Sequence, residues 1–160
     1  MKVYLAGYIS GNVMDQCVAW RKQICDHYNN WKGQERYPIE WLDPLNSGES
    51  DSIDPEGLKS DLPPNMIVHK DLMAVKHSDL IVANLDTFGE SRPLIGTACE
   101  LAWSYLLDKP IIVISDNPQY TNHPFIKVFA SVIVNSVEEM LEKKYINKFY
   151  KTIVTAEYKA

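Results

Sequence analysis

Short apolar runs alternate with longer stretches of helical spacing along most of this chain, and that alternation predicts its architecture. The first run, VYLA at residues 3–6, is rich in strand formers and is ended by Gly7. Residues 15–28 then bring Val18, Ile24, Cys25 and Tyr28 onto one face of a helix. Residues 37–42 read as a second strand. Residues 43–64, rich in Pro, Ser, Gly and Asp, read as a long loop with room for one helical turn. Helical spacing returns over residues 65–77 through Ile67, Leu72 and Val75, and a buried strand follows at 80–84. The next helix begins between Pro93 and Gly96, with an apolar stripe of Leu94, Ala98, Leu101, Ala102 and Tyr105. Strands at 110–114 and 131–134 follow, then a last helix marked by Val137, Met140, Leu141 and Tyr145.

Strands alternating with helices imply an α/β fold with parallel strands, because each crossover returns the chain to the same edge. The expected form is a flavodoxin-like (Rossmann-like) five-stranded parallel sheet with helices on both faces, in the order 2-1-3-4-5. Ligands of such sheets bind beyond the carboxyl ends of the strands, at the point where strand order reverses. Gly7, the 84–92 loop and the turn at 96–100 would converge there. Residues 1–145 read as one domain and 146–160 as a C-terminal extension, either ordered on it or crossing to a neighbouring subunit.

Composition narrows the partners. At 160 residues and 46% hydrophobic the chain can bury one sizeable core. Net charge is −5 and no Lys/Arg cluster exceeds a pair, so duplex nucleic acid is not an expected partner. The N-terminal apolar run is too short for a signal peptide or a membrane span, and no membrane partner is expected. Cys17, Cys25 and Cys99 are odd in number and lack C-x-x-C spacing, which suits reduced thiols in a cytoplasmic protein.

Several chemistries fall away on motif grounds. The chain has no phosphate-cradling G-x-x-x-x-G-K-[ST], no dinucleotide fingerprint, no zinc-deaminase pattern and no G-x-S-x-G elbow. His27, His69, His77 and His123 lack ligand spacing and suit surface or capping roles. Neither a metal nor another cofactor is expected. Carboxylates remain: Asp71, Asp79, Asp86, Glu90 and Glu100. Glu100 follows the DLIVAN strand and opens a helix, where it can be a nucleophile, a base or a partner of the helix dipole. Its periodicity puts it opposite the apolar stripe, where a solvated residue sits. Asp71 and Asp79 read as helix-start and strand-start acids. Trp20, Trp31, Trp41 and Trp103 suit core or subunit contacts, whereas Tyr8, just past Gly7, is the better stacking candidate.

The ordered set is more specific than its parts. Tyr4-Leu5-Ala6-Gly7, then Asp71-Leu72 with Asp79 eight residues after Asp71, then Gly96-Thr97-Ala98-Cys99-Glu100-Leu101 resemble the nucleoside 2-deoxyribosyltransferase family over about the first 140 residues. The resemblance implies cleavage of the N-glycosidic bond of a nucleoside or nucleotide, with the sugar passed to another base or to water. It implies Glu100 as the nucleophile, Tyr4 as the residue that orients it, and Asp71 as the group exchanging a proton with the base. It also implies homo-oligomers. The expected substrate-binding residues are Gly7, Tyr8, Asn84, Ser91, Arg92, Gly96 and Thr97.

Two departures matter. Transferases of the family commonly carry an aspartate six residues before the nucleophile, and here that position is Leu94. The segment His123-Pro124-Phe125 lacks the asparagine that transferases often send into a neighbouring site. Arg92, at a strand-to-helix loop, can instead pair with a phosphate in fork geometry. A nucleoside 5′-monophosphate N-glycosidase is therefore the close alternative, with an NAD-cleaving glycohydrolase and a non-catalytic nucleotide sensor behind it.

Overall fold

A computed structural model describes residues 1–9, 14–32, 37–46, 52–54, 57–59, 62–89, 91 and 93–153. The elements run β1 (Lys2–Gly7), α1 (Met14–Asn29), β2 (Glu40–Leu42), β3 (Ser52–Asp54), β4 (Gly57–Lys59), α2 (Pro64–His77) and β5 (Leu80–Asn84). They continue with α3 (Ile95–Leu106), β6 (Ile111–Ile114), α4 (Pro118–Thr121), α5 (Pro124–Phe129), β7 (Val132–Val134), α6 (Val137–Glu142) and α7 (Tyr145–Ile153). Five strands form one parallel sheet in the order β2-β1-β5-β6-β7, the flavodoxin-like order expected. Every residue of β5 and β6 is buried, as parallel strands covered on both faces require.

Alternation along the strands sends side chains into two cores. Val3 and Leu5 join Ile24 and Tyr28 of α1, Met140 of α6 and Ile146 of α7 on one face. Tyr4 and Ala6 join Val75 of α2, Leu101 of α3 and Ile126 and Phe129 of α5 on the other. Each fully buried aliphatic side chain contributes roughly 1.5–3 kcal/mol. Asp79 ties the central strands together at their start: its carboxylate accepts the Lys2 amide at 2.7 Å, and its own amide donates to the Lys2 carbonyl at 2.8 Å.

Four local features depart from the sequence pattern. The long loop carries a 3-10 turn at Pro44–Asn46, which the composition allowed, and also the antiparallel hairpin β3-β4, which it did not announce. Two short Pro-led helices, α4 and α5, fill the β6–β7 crossover; Asn117 and His123 cap them by accepting amides two residues ahead. The second strand is shorter than expected, because only residues 40–42 pair with β1. The last helix is split at Lys144, whose φ of +55° is left-handed and breaks the helical run. The chain then continues as α7, whose Ile146 enters the core and whose Asn147 side chain accepts the Tyr28 hydroxyl at 2.5 Å. Residues 154–160 lie outside the described residues. Among the described residues no helix is long and apolar enough to cross a membrane.

Candidate active site

A cleft of about 470 Å³ opens at the carboxyl edge of the sheet, beside the point where strand order reverses. Gly7 at the end of β1 and Tyr8 and Ile9 just beyond it form one wall, and Pro44 beyond β2 adds to it. Ile67, Lys70 and Asp71 of α2 face them, while residues 93–97 and Glu100 close the third side. The volume suits a ligand of nucleoside size. Helix α3 starts here after Leu94 with no side-chain cap, and its first residues, Ile95, Gly96 and Thr97, line the cleft.

The buried face of α3 explains how a carboxylate comes to lie inside. Thr97, Glu100, Leu101 and Ser104 are its buried residues, and their spacing is one helical face. Three of these four are polar. The expectation that Glu100 is solvated opposite an apolar stripe is therefore corrected: Glu100 is 6% exposed, whereas Tyr105 of that stripe is 46% exposed and Ala98 is exposed. The apolar side of α3 lies instead along a surface groove with Phe125, Ile126 and Phe129 of α5. Leu101 of the stripe is buried as expected, but the buried face is turned to include Thr97, Glu100 and Ser104.

The Tyr4 hydroxyl donates to Glu100 Oε1 at 2.6 Å, and both groups are buried. Desolvation pushes the Glu100 carboxyl up to about 8; the Tyr4 hydrogen bond and the Arg21 charge oppose that rise, and Asp71 adds to it. The same burial raises Tyr4 well above the usual phenol range, with Glu100 and Asp71 adding to the effect, so Tyr4 stays a donor. Asp71 is also raised, chiefly by burial, with Lys70 pulling it down. The reading of Asp71 as a helix-start acid is corrected, since α2 begins at Pro64 and Asp71 projects from its middle. Two carboxyls of raised pKa thus line one cleft, a usual setting for proton exchange. Among the described residues no three His, Cys, Asp or Glu side chains group to hold a metal ion.

Of the expected substrate-binding residues, Gly7, Tyr8, Gly96 and Thr97 line the cleft. A Cβ at Gly7 would sit 2.8 Å from Trp20 Cζ2 and 3.2 Å from the Asn84 carbonyl, so glycine is required there by packing. A Cβ on Gly96 would meet nothing. Asn84 is buried at the end of β5, but its side chain accepts the Asp86 amide at 3.0 Å and shapes the loop without lining the cleft. Ser91 is exposed and is not part of the cleft wall. Arg92 lies outside the described residues. None of the four tryptophans lines the cleft: Trp31 and Trp41 gather with Tyr28 and Tyr37, while Trp20 and Trp103 pack against the two cores.

Sequence reasoning missed Arg21. It is 2% exposed, and it donates to the Cys17 carbonyl at 2.5 Å and to the Gly7 carbonyl at 3.4 Å. Its Nε stands 3.2 Å from Asp43 Oδ1. A signal was present: Cys17, Arg21, Ile24 and Tyr28 share the buried side of α1 at helical spacing, and the one cation among them is out of place on such a face.

The fold and the site together are a parallel α/β sheet with a tyrosine-bonded carboxyl buried in its switch-point cleft. A family model described as "Nucleoside 2-deoxyribosyltransferase like" matches residues 1–117, and the chain belongs to that family. The match ends just before α4, short of the 140 or so residues over which the motif spacing suggested the likeness. Among solved structures, the CMP N-glycosidase BcmB from Clostridium botulinum is 19% identical, with a TM-score of 0.53 over 92% of this chain and 99% of that one. That likeness establishes the fold. A 2-deoxyribosyltransferase from Leishmania mexicana is 22% identical, with a TM-score of 0.47 over 75% of this chain and 71% of that one. No curated protein matches the sequence.

Proposed function

We propose that the protein is an enzyme that breaks the N-glycosidic bond of a (deoxy)nucleoside through a covalent glycosyl ester on Glu100. The observation that carries this reading is the cleft-lining Glu100 held by the Tyr4 hydroxyl. Departure of the base leaves oxocarbenium character on the sugar, and a carboxylate beneath the anomeric carbon stabilises and then captures it. Tyr4 binds Oε1, which leaves Oε2 as the attacking oxygen. As the ester forms and the C–N bond breaks, Asp71 in its protonated form gives a proton to the departing base. In the second half the Asp71 carboxylate takes a proton from the incoming base or water. That nucleophile attacks the same carbon, and the ester bond breaks to return Glu100. Two displacements at one carbon retain configuration.

Transfer to a second base is the first reading, because transfer is the reaction named in the family's description. Hydrolysis of a nucleoside 5′-monophosphate is the second, favoured by Leu94: an apolar residue occupies the cleft wall where the resemblance places an aspartate in transferases. The test is incubation of the pure protein with a deoxynucleoside or its 5′-monophosphate, with and without a second base. Exchanged nucleoside supports transfer, and free base from the monophosphate alone supports hydrolysis. If no substrate yields free or exchanged base, the proposal fails.

A further inference from the structure

Arg21 is the only buried cation among the described residues, and the reaction outlined above does not use it. Burying a guanidinium is expensive, and an apolar side chain of similar size would brace α1 against the sheet more cheaply. Its contacts suggest a reason beyond packing. Gly7, whose carbonyl it holds, is part of the cleft wall. Asp43, its ion partner, also accepts the Leu45 amide at 3.0 Å and so shapes the turn that presents Pro44 to the cleft. The Arg21 guanidinium carbon also lies 4.4 Å from the centre of the Trp20 ring, which packs where a Gly7 side chain would go. One cation thus joins the ends of β1 and β2, the two loops that make one side of the site.

We propose that Arg21 is a positioning residue for the Glu100 chemistry: with Asp43 it clamps the Gly7 and Pro44 walls and sets a buried positive charge against the wall of the cleft that Glu100 lines. Besides the Tyr4 hydroxyl from β1, the charges that act on Glu100 are Asp71 from α2 and Arg21 from α1, and Lys70 acts on Asp71. Only Arg21 is a cation acting directly on Glu100, and it opposes desolvation by favouring the ionised form that attacks. Asp43 in turn partly neutralises Arg21, so the pair sets how much positive field reaches the carboxylate.

The inference rests on the proposed reaction for its meaning, yet its test has a readout independent of turnover. The Glu100 carboxyl is titrated by carbon-13 NMR, its resonance assigned by loss in Glu100→Gln, in Arg21→Met, Arg21→Lys and Asp43→Asn. Removing the cation in Arg21→Met is expected to move the midpoint to higher pH by about half a unit or more. Removing the anion in Asp43→Asn is expected to move it to lower pH. Arg21→Lys, which keeps the charge, is expected to stay near the parent. A residue that only packs would not shift the two variants in opposite directions. Shifts of the same sign, or an unmoved midpoint in both, overturn the proposal. Where Arg21→Met does not fold, the Asp43→Asn shift decides: downward supports the inference, and anything else sinks it. Absence of base release from the parent protein would remove the proposed reaction and leave this titration result standing on its own.

Discussion

The Tyr4 hydroxyl and Glu100 Oε1 meet at 2.6 Å across 96 residues of chain, joining the first strand to the helix that follows β5. A phenol held as a donor by its own burial fixes one oxygen of a carboxyl that lines the cleft. Hydrogen bonds to charged groups are worth about 1.5–3 kcal/mol, so this contact can hold an ionised Glu100 carboxylate in one orientation.

Removing the two partners should have unequal effects. Glu100→Gln should lower kcat/KM by about a thousand-fold or more and abolish any sugar-sized adduct seen by intact-mass analysis. Tyr4→Phe should keep the adduct and lower kcat/KM by about 10–100-fold, the kinetic equivalent of one charge-assisted hydrogen bond. Equal losses in both variants would contradict these roles.

The pH dependence follows from the Glu100 carboxyl at about 8. In the proposed reaction Glu100 attacks in its ionised form while Asp71 must hold its proton, so kcat/KM should follow a bell, rising with pH as Glu100 ionises and falling as Asp71 loses its proton. Stability should fall as pH rises. Between the ordinary 4.5 and about 8 the native state holds a proton that the unfolded chain has released. Stability contributed by the neutral carboxyl is therefore present at low pH and lost as pH rises through this window, by at most about 1.4 kcal/mol per pH unit. Glu100→Gln removes the dependence. Thermal melts should show the variant more stable than the parent above pH 8, with the gap closing toward pH 4.5.

Asp71→Asn should reduce activity by about 10²–10⁴-fold, as expected for loss of a general acid. The loss should shrink on a nucleoside whose base departs without protonation, because that substrate bypasses the missing proton. Steady-state rates on a good and a poor leaving group give the comparison. A loss of equal size on both would assign Asp71 to binding alone.

Gly7→Ala addresses packing at the cleft floor. The added methyl would stand 2.8 Å from Trp20 Cζ2, and Trp20 is itself buried under Arg21. Overpacking of this kind costs about 1–3 kcal/mol. Urea denaturation should report a lower midpoint with little change in slope.

The motifs that announced the site were local, and the structure kept most of them together. Gly7, Tyr8, Gly96, Thr97, Asp71 and Glu100 share one cleft because the strand ends and helix starts that carry them follow from the doubly wound topology. Asn84 shows where that logic stops: it reaches the correct edge of the sheet, yet its side chain turns back to the Asp86 amide. Arg21 shows the converse: a cation at helical spacing with Cys17, Ile24 and Tyr28 formed no motif, and its contacts with Gly7 and Asp43 emerged only once α1 was packed.

By itself the chain determined strand order, the two-faced core and the helix that bears Glu100, because apolar periodicity and glycine punctuation are properties of neighbouring residues. Tertiary structure alone decided that Thr97, Glu100 and Ser104 of α3 turn inward, that Asp71 projects from mid-helix into the cleft, and that a buried guanidinium holds the Gly7 carbonyl. Burial depends on which surfaces meet. Polar residues such as Thr97, Glu100 and Ser104 carry no local sign of the sheet edge that will cover them.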